Sequence, residues 1–301
     1  MVKFRKVAVL MGGISSEREV SLRSGACIAA GLEEAGCEVT RVTLDAASIA
    51  GKIPAGTEAV FIALHGGYGE NGGVQADLDA LGIPYTGPGA KASAIAMDKI
   101  ETKRIFLAKG IPTPKGGLVA DGDDPPLPEG VSFPAAVKPR ADGSSVGLTC
   151  PCSAEQWREA VAVARRLGEG VIAEEYIPGH EWTVGIVGDK PLPVIEIAPK
   201  CGVYDYGSKY TKGATTYTPL DDTPLTAKCQ GIAMDAFRAI GGRGLSRVDF
   251  RVTPDGRCLA LEVNTVPGFT ETSLVPKAAA KAGMTFAETC ASILALARCG
   301  E

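Results

Sequence analysis

The sequence predicts an α/β unit followed by an α+β region, because three patterns divide its 301 residues. Residues 1–95 alternate short apolar runs with helical stretches, as a small open α/β unit does. From about residue 96 the chain changes to helices and strands around a proline-rich connection, and this pattern continues to about residue 175. Residues 176–301 contain a strand hairpin in which apolar and polar residues alternate. We therefore predict three domains, over residues 1–95, 96–175 and 176–301.

The chain has the composition of an ordinary globular protein, with 45% hydrophobic and 22% charged residues. With a formal net charge of −4, the chain does not have the basic character of nucleic-acid binders. No apolar run approaches the roughly 18 to 20 residues that a membrane-spanning helix needs. The basic N-terminus precedes an apolar run that is too short for a signal peptide. Nine cysteines include no C-x-x-C pair, so we expect reduced thiols in a cytoplasmic protein without nucleic-acid or membrane partners.

The first unit begins with a continuous apolar run at residues 7–11, which is typical of a parallel strand buried on both faces. Ser16, followed three residues later by Glu19, predicts a capping box at the start of a helix over about 17–35. Gly36 would end that helix. Further strands of this unit are predicted at residues 38–42 and 59–64.

Two loops of the first unit are candidates for ligand contact, because open α/β sheets bind ligands beyond the carboxyl ends of their strands. They span residues 12–17 and 65–73. The second begins at His65 and carries five glycines in nine residues, which allows close backbone approach, although a mobile surface loop has the same composition. Glu17 either binds a substrate ammonium or only complements the helix dipole. The G-x-G-x-x-G spacing of a dinucleotide-binding turn is absent, which disfavours hydride transfer.

Lysines and small residues in the second unit predict a phosphate site. A predicted strand at 133–138 ends in Lys138, and the glycine- and serine-rich loop 139–147 follows it with backbone N–H groups that can surround phosphate oxygens. The Walker A spacing is absent, so this site is built in another way. Lys99 is a second candidate, although a single lysine more often lies on a solvated surface. The other elements predicted are helices over 97–109, 154–167, 225–240 and 285–298, and strands over 171–174, 183–187 and 193–197.

The hairpin over residues 247–264 has the most informative pattern in the chain. Alternation about a Pro-Asp-Gly turn of two or four residues pairs apolar residues on one face: Val248 with Val263, Phe250 with Leu261, and Val252 with Leu259. The other face then sets Asp249 against Glu262 and Arg247 against Asn264. Opposed like charges are destabilising, so we expect a cation between the carboxylates. Two carboxylates and an amide oxygen suit Mg²⁺, whereas an ordinary half-exposed hairpin is the simpler alternative.

Two further segments have the composition of ligand-contacting loops. Residues 203–213 hold three tyrosines and two lysines but little aliphatic surface, which favours an active-site lid. Residues 174–181 follow a predicted strand and can present backbone groups to an adenine edge, with Glu181 near ribose hydroxyls; solvent exposure is the simpler interpretation of Glu181. The polar segment 265–276 adjoins the predicted metal ligands.

Eight segments in order resemble the D-alanine-D-alanine ligase family of the ATP-grasp superfamily. They are residues 12–21, 64–72, 97–99, 137–139, 143–147, 204–210, 247–249 and 262–268. The resemblance covers nearly the whole chain, and it is the set rather than any single segment that is specific. It implies an ATP-grasp fold preceded by a biotin-carboxylase-like α/β domain, with ATP held between the central and C-terminal domains.

The resemblance also implies a reaction and its small-molecule partners. One D-alanine carboxylate would be phosphorylated by ATP, and the amine of a second D-alanine would attack the acyl phosphate, giving D-alanyl-D-alanine for peptidoglycan synthesis. Two Mg²⁺ or Mn²⁺ ions would assist, and the family often forms homodimers. The remaining alternatives are another ATP-grasp carboxylate-amine ligase and a nucleotide-binding regulatory protein that has lost turnover. The complete set of lysines and metal ligands disfavours the latter.

By similarity, each matching residue acquires an expected role. The metal ligands would be Asp249, Glu262 and Asn264. The ATP contacts would be Lys99, Lys138, Ser145, Glu174, Glu175, Ile177, Glu181 and Lys209. The substrate contacts would be Glu17, His65, Ser144, Tyr204, Tyr210, Arg247, Gly268, Ser273 and Leu274.

Five of these residues would act most directly in the reaction. Glu17 would bind the first ammonium, with Ser144 and Tyr210 hydrogen-bonded to it, and Lys209 would lie nearest the transferred phosphoryl group. Arg247 would stabilise the oxyanion of the tetrahedral intermediate. Tyr210 also bears on specificity: relatives that make D-alanyl-D-lactate tend to have phenylalanine there, so its hydroxyl favours an amine as second substrate. Ser273 would receive the second carboxylate.

Overall fold

The computed structural model describes residues 2–141, 143, 146–200 and 214–300. The strands, numbered in chain order, are β1 (Lys6–Gly12), β2 (Glu38–Leu44), β3 (Ala59–Ile62), β4 (Gly116–Leu118), β5 (Ala135–Pro139), β6 (Val171–Glu175), β7 (His180–Val187), β8 (Lys190–Pro191), β9 (Ile195–Pro199), β10 (Thr215–Pro219), β11 (Leu245–Val252) and β12 (Cys258–Asn264). The α-helices are α1 (Arg18–Glu34), α2 (Gly73–Leu81), α3 (Ala90–Met97), α4 (Lys99–Ala108), α5 (Ala154–Leu167), α6 (Pro224–Ala239), α7 (Leu274–Lys281) and α8 (Phe286–Ala295). A 3-10 helix spans Gly67–Gly69.

The N-terminal unit is built on a parallel sheet in which β1 lies between β2 and β3. Residues 7–11 of β1 are all buried, which confirms the predicted strand. Both faces are covered: Val9 packs in one core with Leu32 of α1, and Leu10 packs in another with Leu78 of α2. An uninterrupted apolar run is what burial on both faces requires.

The start of α1 differs from the prediction. The helix exists and ends before Gly36, which has φ 92° as expected. The capping box is wrong, however, because Glu17 is the N-cap residue and no side chain caps the helix there. Ser15 acts in this turn instead of Ser16: its Oγ accepts from Glu17 N (3.2 Å) and donates to His65 O (2.6 Å). This contact joins the two loops that were predicted to meet a ligand.

The central unit is the antiparallel sheet β4-β6-β5, with α5 packed against it. The helix predicted over 154–167 is confirmed without change. Its register is fixed by Trp157, which is buried among Val137 and Ala173 and donates from Nε1 to Pro125 O (2.8 Å). Helix α5 therefore covers one face of this sheet, and Ile172 and Glu174 on the other face are buried as well.

The C-terminal sheet runs in the order β10-β9-β7-β11-β12, with β8 paired to β7. All its pairings are antiparallel. The predicted helix 225–240 is present as α6, one residue earlier at each end. Alternation failed to predict β8, β10, α2, α3 and α7, which are short or lie where the apolar pattern is broken by glycine and proline.

The hairpin of β11 and β12 confirms part of the predicted register. The confirmed pairs are Arg247 with Asn264, Val248 with Val263 and Asp249 with Glu262. Beyond them the prediction is wrong, because a bulge at Leu261 shifts the register so that Phe250 pairs with Ala260 and Val252 with Cys258. The bulge leaves Cys258 and Ala260 facing the core and turns Leu261 to a half-buried position. The loop between the paired residues is 253–257, where Thr253 N donates to Arg257 O (3.0 Å).

The hydrophobic cores connect segments that lie far apart in the chain. Phe106 of α4 packs with Phe250 of β11. Ile293 of α8 packs with Val9 of β1, so the end of the chain covers the N-terminal sheet. The division at residues 95 and 175 stays a prediction, but this shared packing fixes the N-terminal loops relative to the C-terminal hairpin. Within the described ranges, no helix combines the length and hydrophobicity that crossing a membrane would require.

Candidate functional site

A cavity of about 290 Å³ lies between the N-terminal loops and the C-terminal hairpin. One wall comes from α1 and the loop after β3, and the other from β11, β12 and the segment that leads into α7. Six of the residues predicted to contact substrate line it, namely Glu17, His65, Arg247, Gly268, Ser273 and Leu274. Residues from the two ends of the chain are thus brought to one cavity by the shared core.

A second, smaller pocket of about 30 Å³ adjoins the first. Its lining includes Lys99 at the start of α4 and Glu262 on β12, which were predicted to meet phosphate and metal. Glu70, Gly143 and Asn264 line both spaces. The larger cavity and the pocket beside Lys99 therefore share a boundary formed by these three residues.

The polar face of the hairpin carries a dense hydrogen-bond network. Arg247 donates from Nε to Asp249 Oδ1 (2.8 Å) and from Nη2 to Oδ2 (2.7 Å), because residues two apart in a strand project from the same face. Asn264 Nδ2 donates to Asp249 Oδ2 (2.9 Å), and Thr183 Oγ1 donates to Oδ1 (2.6 Å). The Asp249 side chain is only 10% exposed. Its two contacts with the Arg247 guanidinium are charge-assisted, and such contacts are the strong hydrogen bonds of proteins.

The donor set on this face fits a hard divalent cation. Asp249 and Glu262 are directly opposed in the strand pairing, and Asn264 adds an amide oxygen. Oxygen-only ligands suit Mg²⁺. Lys99 Nζ lies 3.9 Å from Glu262 Oε2, so a cationic partner already faces this carboxylate. No cluster of three His, Cys, Asp or Glu side chains with metal-binding geometry occurs in the described part of the chain, which leaves this mixed acid-and-amide set as the candidate.

A buried ion cluster underlies the central sheet. Glu174 on β6 accepts Lys138 Nζ at 2.6 Å on one oxygen and Lys103 Nζ at 2.7 Å on the other. Burial by itself would raise the pKa of Glu174, but the two ammonium groups lower it to about 2. Desolvation acts to lower the pKa of Lys138, and the carboxylates of Glu174 and Glu262 raise it above its ordinary value. Lys138 is thus held in its charged form at a fixed position.

Lys103 was missed by the sequence analysis. It lies one helical turn after Lys99 on α4, so the spacing placed both lysines on one face of the helix. Its Nζ also donates to Pro114 O (2.5 Å) and Thr113 Oγ1 (3.0 Å). With Glu174 these contacts join α4, the segment before β4, and β6.

Lys99 is positioned by a helix cap. Asp98 is the N-cap of α4 and accepts from Ile100 N at 3.0 Å and Glu101 N at 3.2 Å. Arg140 forms a bidentate pair with Asp98 (2.9 and 2.5 Å), which lowers the pKa of Asp98, and Arg140 O accepts from Lys99 N at 3.1 Å. The phosphate-side lysine and the loop after β5 therefore share one anchor.

The predicted adenine segment is anchored from β11. Arg251 donates from Nε to Ile177 O (3.0 Å) and from Nη2 to Gly179 O (2.9 Å), and its Nη1 lies 3.3 Å from Glu181 Oε2. Glu175 turns toward the neighbouring strand, where its Oε1 accepts from Lys115 N at 2.8 Å. The carboxylates of Glu175 and Glu181 thus have different surroundings, and Glu181 is the one beside the segment's turn.

His65 has a structural role as well as a place in the cavity wall. Its Nδ1 lies 3.0 Å from Val266 O, and a carbonyl only accepts, so we assign the ring proton to Nδ1. Nε2 then accepts from Ser24 Oγ at 3.2 Å, while the same oxygen accepts from Phe269 N at 3.1 Å. The imidazole thus ties α1 to the segment after β12.

Several predicted residues lie outside the described residues. These are Ser144, Ser145, Tyr204, Lys209 and Tyr210. Conversely, Arg23 and Glu70 line the cavity but were not predicted. Glu70 lies in the glycine-rich loop that had already been singled out, so its position in that loop was the available signal.

Comparisons with known proteins agree with this architecture. Residues 125–295 match the family described as D-ala D-ala ligase C-terminus. A D-alanine-D-alanine ligase of Aquifex aeolicus is 46% identical over 93% of this chain and 97% of its own length. One of Syntrophotalea carbinolica is 45% identical over 97% of this chain and 95% of its own.

Solved structures of such enzymes share the fold. The crystal structure of D-alanine-D-alanine ligase from Bacillus anthracis complexed with ATP has a TM-score of 0.87 and 30% identity, and 97% of each chain is covered. A D-Ala:D-Ser ligase from Enterococcus faecalis has a TM-score of 0.84 and 25% identity over 98% of this chain and 99% of its own. The predicted ATP-grasp fold is thereby confirmed, and the chain belongs to the D-alanine-D-alanine ligase family.

Proposed function

We propose that this protein ligates two D-alanine molecules to D-alanyl-D-alanine at the cost of ATP, through a D-alanyl phosphate intermediate, for peptidoglycan precursor synthesis. The observation that carries the proposal is that the cavity lined by Glu17 and Arg247 adjoins the pocket lined by Lys99 and Glu262. An amino-acid site and a phosphate site must share a boundary for a carboxylate to be phosphorylated, and these two spaces share three lining residues.

The first half-reaction forms the acyl phosphate. The first D-alanine binds with its ammonium at Glu17, and its carboxylate oxygen attacks the γ-phosphorus of ATP, so that ADP leaves with the electron pair of the broken bond. Lys99 and Lys138 hold phosphate oxygens, with Lys209 nearest the transferred group. The Glu174 cluster keeps Lys138 charged and fixed, which matters because catalysis of phosphoryl transfer is mostly positioning and electrostatics.

The second half-reaction forms the amide bond. The second D-alanine loses an ammonium proton to give the free amine, which attacks the acyl carbon. The tetrahedral intermediate then loses a further proton and expels inorganic phosphate, which leaves with the electron pair of the broken C–O bond. Arg247 stabilises the developing oxyanion, and removal of such a donor typically lowers the rate by about 10² to 10³. Ser273 and Leu274 accommodate the carboxylate end of the second substrate.

The remaining predicted residues have proposed roles in the metal, ATP and substrate parts of the same site. Asp249, Glu262 and Asn264 would hold two Mg²⁺ or Mn²⁺ ions, which supply neutralisation of phosphate charge. Ser145, Glu174, Glu175, Ile177 and Glu181 form the rest of the ATP site, with Glu181 at the ribose. Ser144, Tyr204 and Tyr210 complete the substrate side with Gly268 and His65. We further propose that the protein is a cytoplasmic homodimer. Sedimentation of the purified protein tests whether it is a dimer.

The proposal is tested by ADP release from the purified protein with Mg-ATP. D-alanine is compared with L-alanine, with D-serine, and with D-alanine plus D-lactate. Turnover with D-alanine and none with L-alanine is expected, because the cavity must bind both substrates in one chirality. Turnover only with another amino-acid pair would favour a different carboxylate-amine ligase, and ATP binding without any turnover would favour a regulatory nucleotide-binding protein.

A further inference from the structure

Glu70 is a partly buried carboxylate without a hydrogen-bond donor among the described residues. It follows the 3-10 helix Gly67–Gly69, and its side chain is 16% exposed. His65 Nδ1 lies 3.7 Å from Glu70 Oε1, within ion-pair distance for a protonated ring but too long for a hydrogen bond. The proton on that nitrogen is donated to Val266 O at 3.0 Å.

Burial of a carboxylate without hydrogen-bond donors is unfavourable. A carboxylate that is largely removed from water loses hydration, and the loss is offset only by donors or an opposite charge. In contrast, Asp249 and Glu174 each have several donors within 3 Å. Glu70 is therefore an acidic side chain of the cavity that receives no hydrogen bond from the described residues, and a ligand ammonium can donate one.

The position of Glu70 restricts which cation this is. Glu70 lines both the substrate cavity and the smaller pocket beside Lys99 and Glu262, whereas Glu17 lines the substrate cavity alone. The acyl phosphate must form where the two spaces meet, and the second amine must approach the acyl carbon at the same place. Glu70 lies on this shared boundary.

The two carboxylates both lie close to Gly143. A Cβ built on Gly143 would lie 3.5 Å from Glu17 Oε2 and 3.9 Å from Glu70 Oε2, so both oxygens approach the same backbone position from different residues. Among the described lining residues, the charged side chains are Glu17, Glu70, Arg23 and Arg247. Two acids and two bases match the charges of two zwitterionic amino acids.

We propose that Glu70 binds the ammonium of the second D-alanine, as Glu17 binds that of the first. This rests on the proposed function. The contact is a charge-assisted N–H···O bond made where the amine must wait before attack. It gives the site a preference for an amino acid over a hydroxy acid as the second substrate.

The test compares Glu70→Gln with the wild-type enzyme in two assays. The first fits the rate against D-alanine concentration to separate KM values for the two subsites. We expect the KM of the second D-alanine to rise about tenfold to a hundredfold, as for loss of a charged hydrogen bond, with the KM values of the first D-alanine and of Mg-ATP unchanged. The second measures the ratio of dipeptide to D-alanyl-D-lactate in mixtures of D-alanine and D-lactate, which should shift toward the ester by a similar factor.

A matched control is Glu271→Gln. Glu271 is an exposed carboxylate in the segment between β12 and α7, next to the lining residues Thr270 and Thr272. Glu271→Gln makes the same change of charge at the edge of the cavity. Its KM for the second D-alanine and its ratio of dipeptide to D-alanyl-D-lactate should equal those of the wild type. Glu70→Asp, which keeps the charge, should retain the wild-type product ratio even where the shorter side chain raises KM.

Three results would overturn the assignment. They are an unchanged product ratio in Glu70→Gln, equal increases in both D-alanine KM values, and a change confined to the KM of Mg-ATP or to the Mg²⁺ requirement, which would place Glu70 in the metal site. If Glu70→Gln does not fold, as judged by circular dichroism, the product ratio of Glu70→Asp decides, and a ratio shifted toward the ester rejects the proposal. Wild-type dipeptide synthesis is measured alongside, so failure of the proposed function is recognised separately.

Discussion

Replacing Glu174 with glutamine tests the ion cluster beneath the ATP site. The side chains of Glu174 and Lys103 are 3% and 5% exposed, and Lys138 is the third member. The substitution keeps the shape of the carboxylate but removes its charge, which leaves two buried ammonium groups without an ionic partner. Breaking a buried pair in this way costs about 3 to 5 kcal/mol.

The pH dependence gives an independent magnitude. The pKa of Glu174 falls from its usual 4.5 to about 2 on folding, which corresponds to about 3 kcal/mol. Because the folded-state pKa is the lower one, this stability is fully present above pH 4.5 and is lost as the pH falls toward 2. The free-energy gap between wild type and Glu174→Gln should therefore be largest near neutral pH and narrow by about 3 kcal/mol across that acidic range.

Urea unfolding followed by circular dichroism at a series of pH values measures this gap. Glu169→Gln is the control, since Glu169 is an exposed carboxylate just before β6 and its removal should leave the pH profile unchanged. Adding Lys103→Met to Glu174→Gln should recover part of the lost stability, because one unpaired ammonium is removed with it. A gap below about 1 kcal/mol at neutral pH, or one that does not narrow in acid, would refute the assignment of a buried ionic cluster.

Three further predictions concern the phosphate and metal sides of the site. Asp98→Ala removes a helix cap and the partner of Arg140, so we expect about 1 to 2 kcal/mol lower stability in urea unfolding and a higher KM for Mg-ATP. An unchanged KM would show that the cap does not position Lys99 for ATP binding. Asp249→Ala with Glu262→Ala should abolish ADP release, and a fully active double variant would exclude the metal site. Tyr210→Phe should raise D-alanyl-D-lactate relative to dipeptide in product analysis, whereas a constant ratio would reject its role in specificity.

Local patterns in the sequence predicted much of the fold. The apolar run of β1 and the helix Ala154–Leu167 were predicted because burial on two faces, or on one helical face, leaves a period in the sequence that needs no knowledge of partners. The same reasoning predicted which residues share the polar face of the hairpin, because side chains in a strand alternate and the strand pairing at Asp249 has the predicted register. Those predictions concern neighbours within one or two strands.

Contacts between distant segments were not predictable in this way. Lys103 meets Glu174 across 71 positions in the chain, and only the packing of α4 beside β6 brings them to 2.7 Å. The capping box failed for a related reason, because Ser15 instead bonds the loop at His65. The bulge at Leu261 was hidden by an alternation that continues through it, and the fit of Ala260 to the core decides the register there.

The sequence by itself determined the family and the polar face that joins Asp249, Glu262, Arg247 and Asn264, because strand alternation and ordered motifs are encoded locally. Only the tertiary structure decided that the cavity is closed by both ends of the chain, and that Glu70 stands at its boundary with the phosphate side. The physical reason is that a side chain's charge is readable from sequence, whereas its burial and its nearest donor depend on which distant segments pack around it.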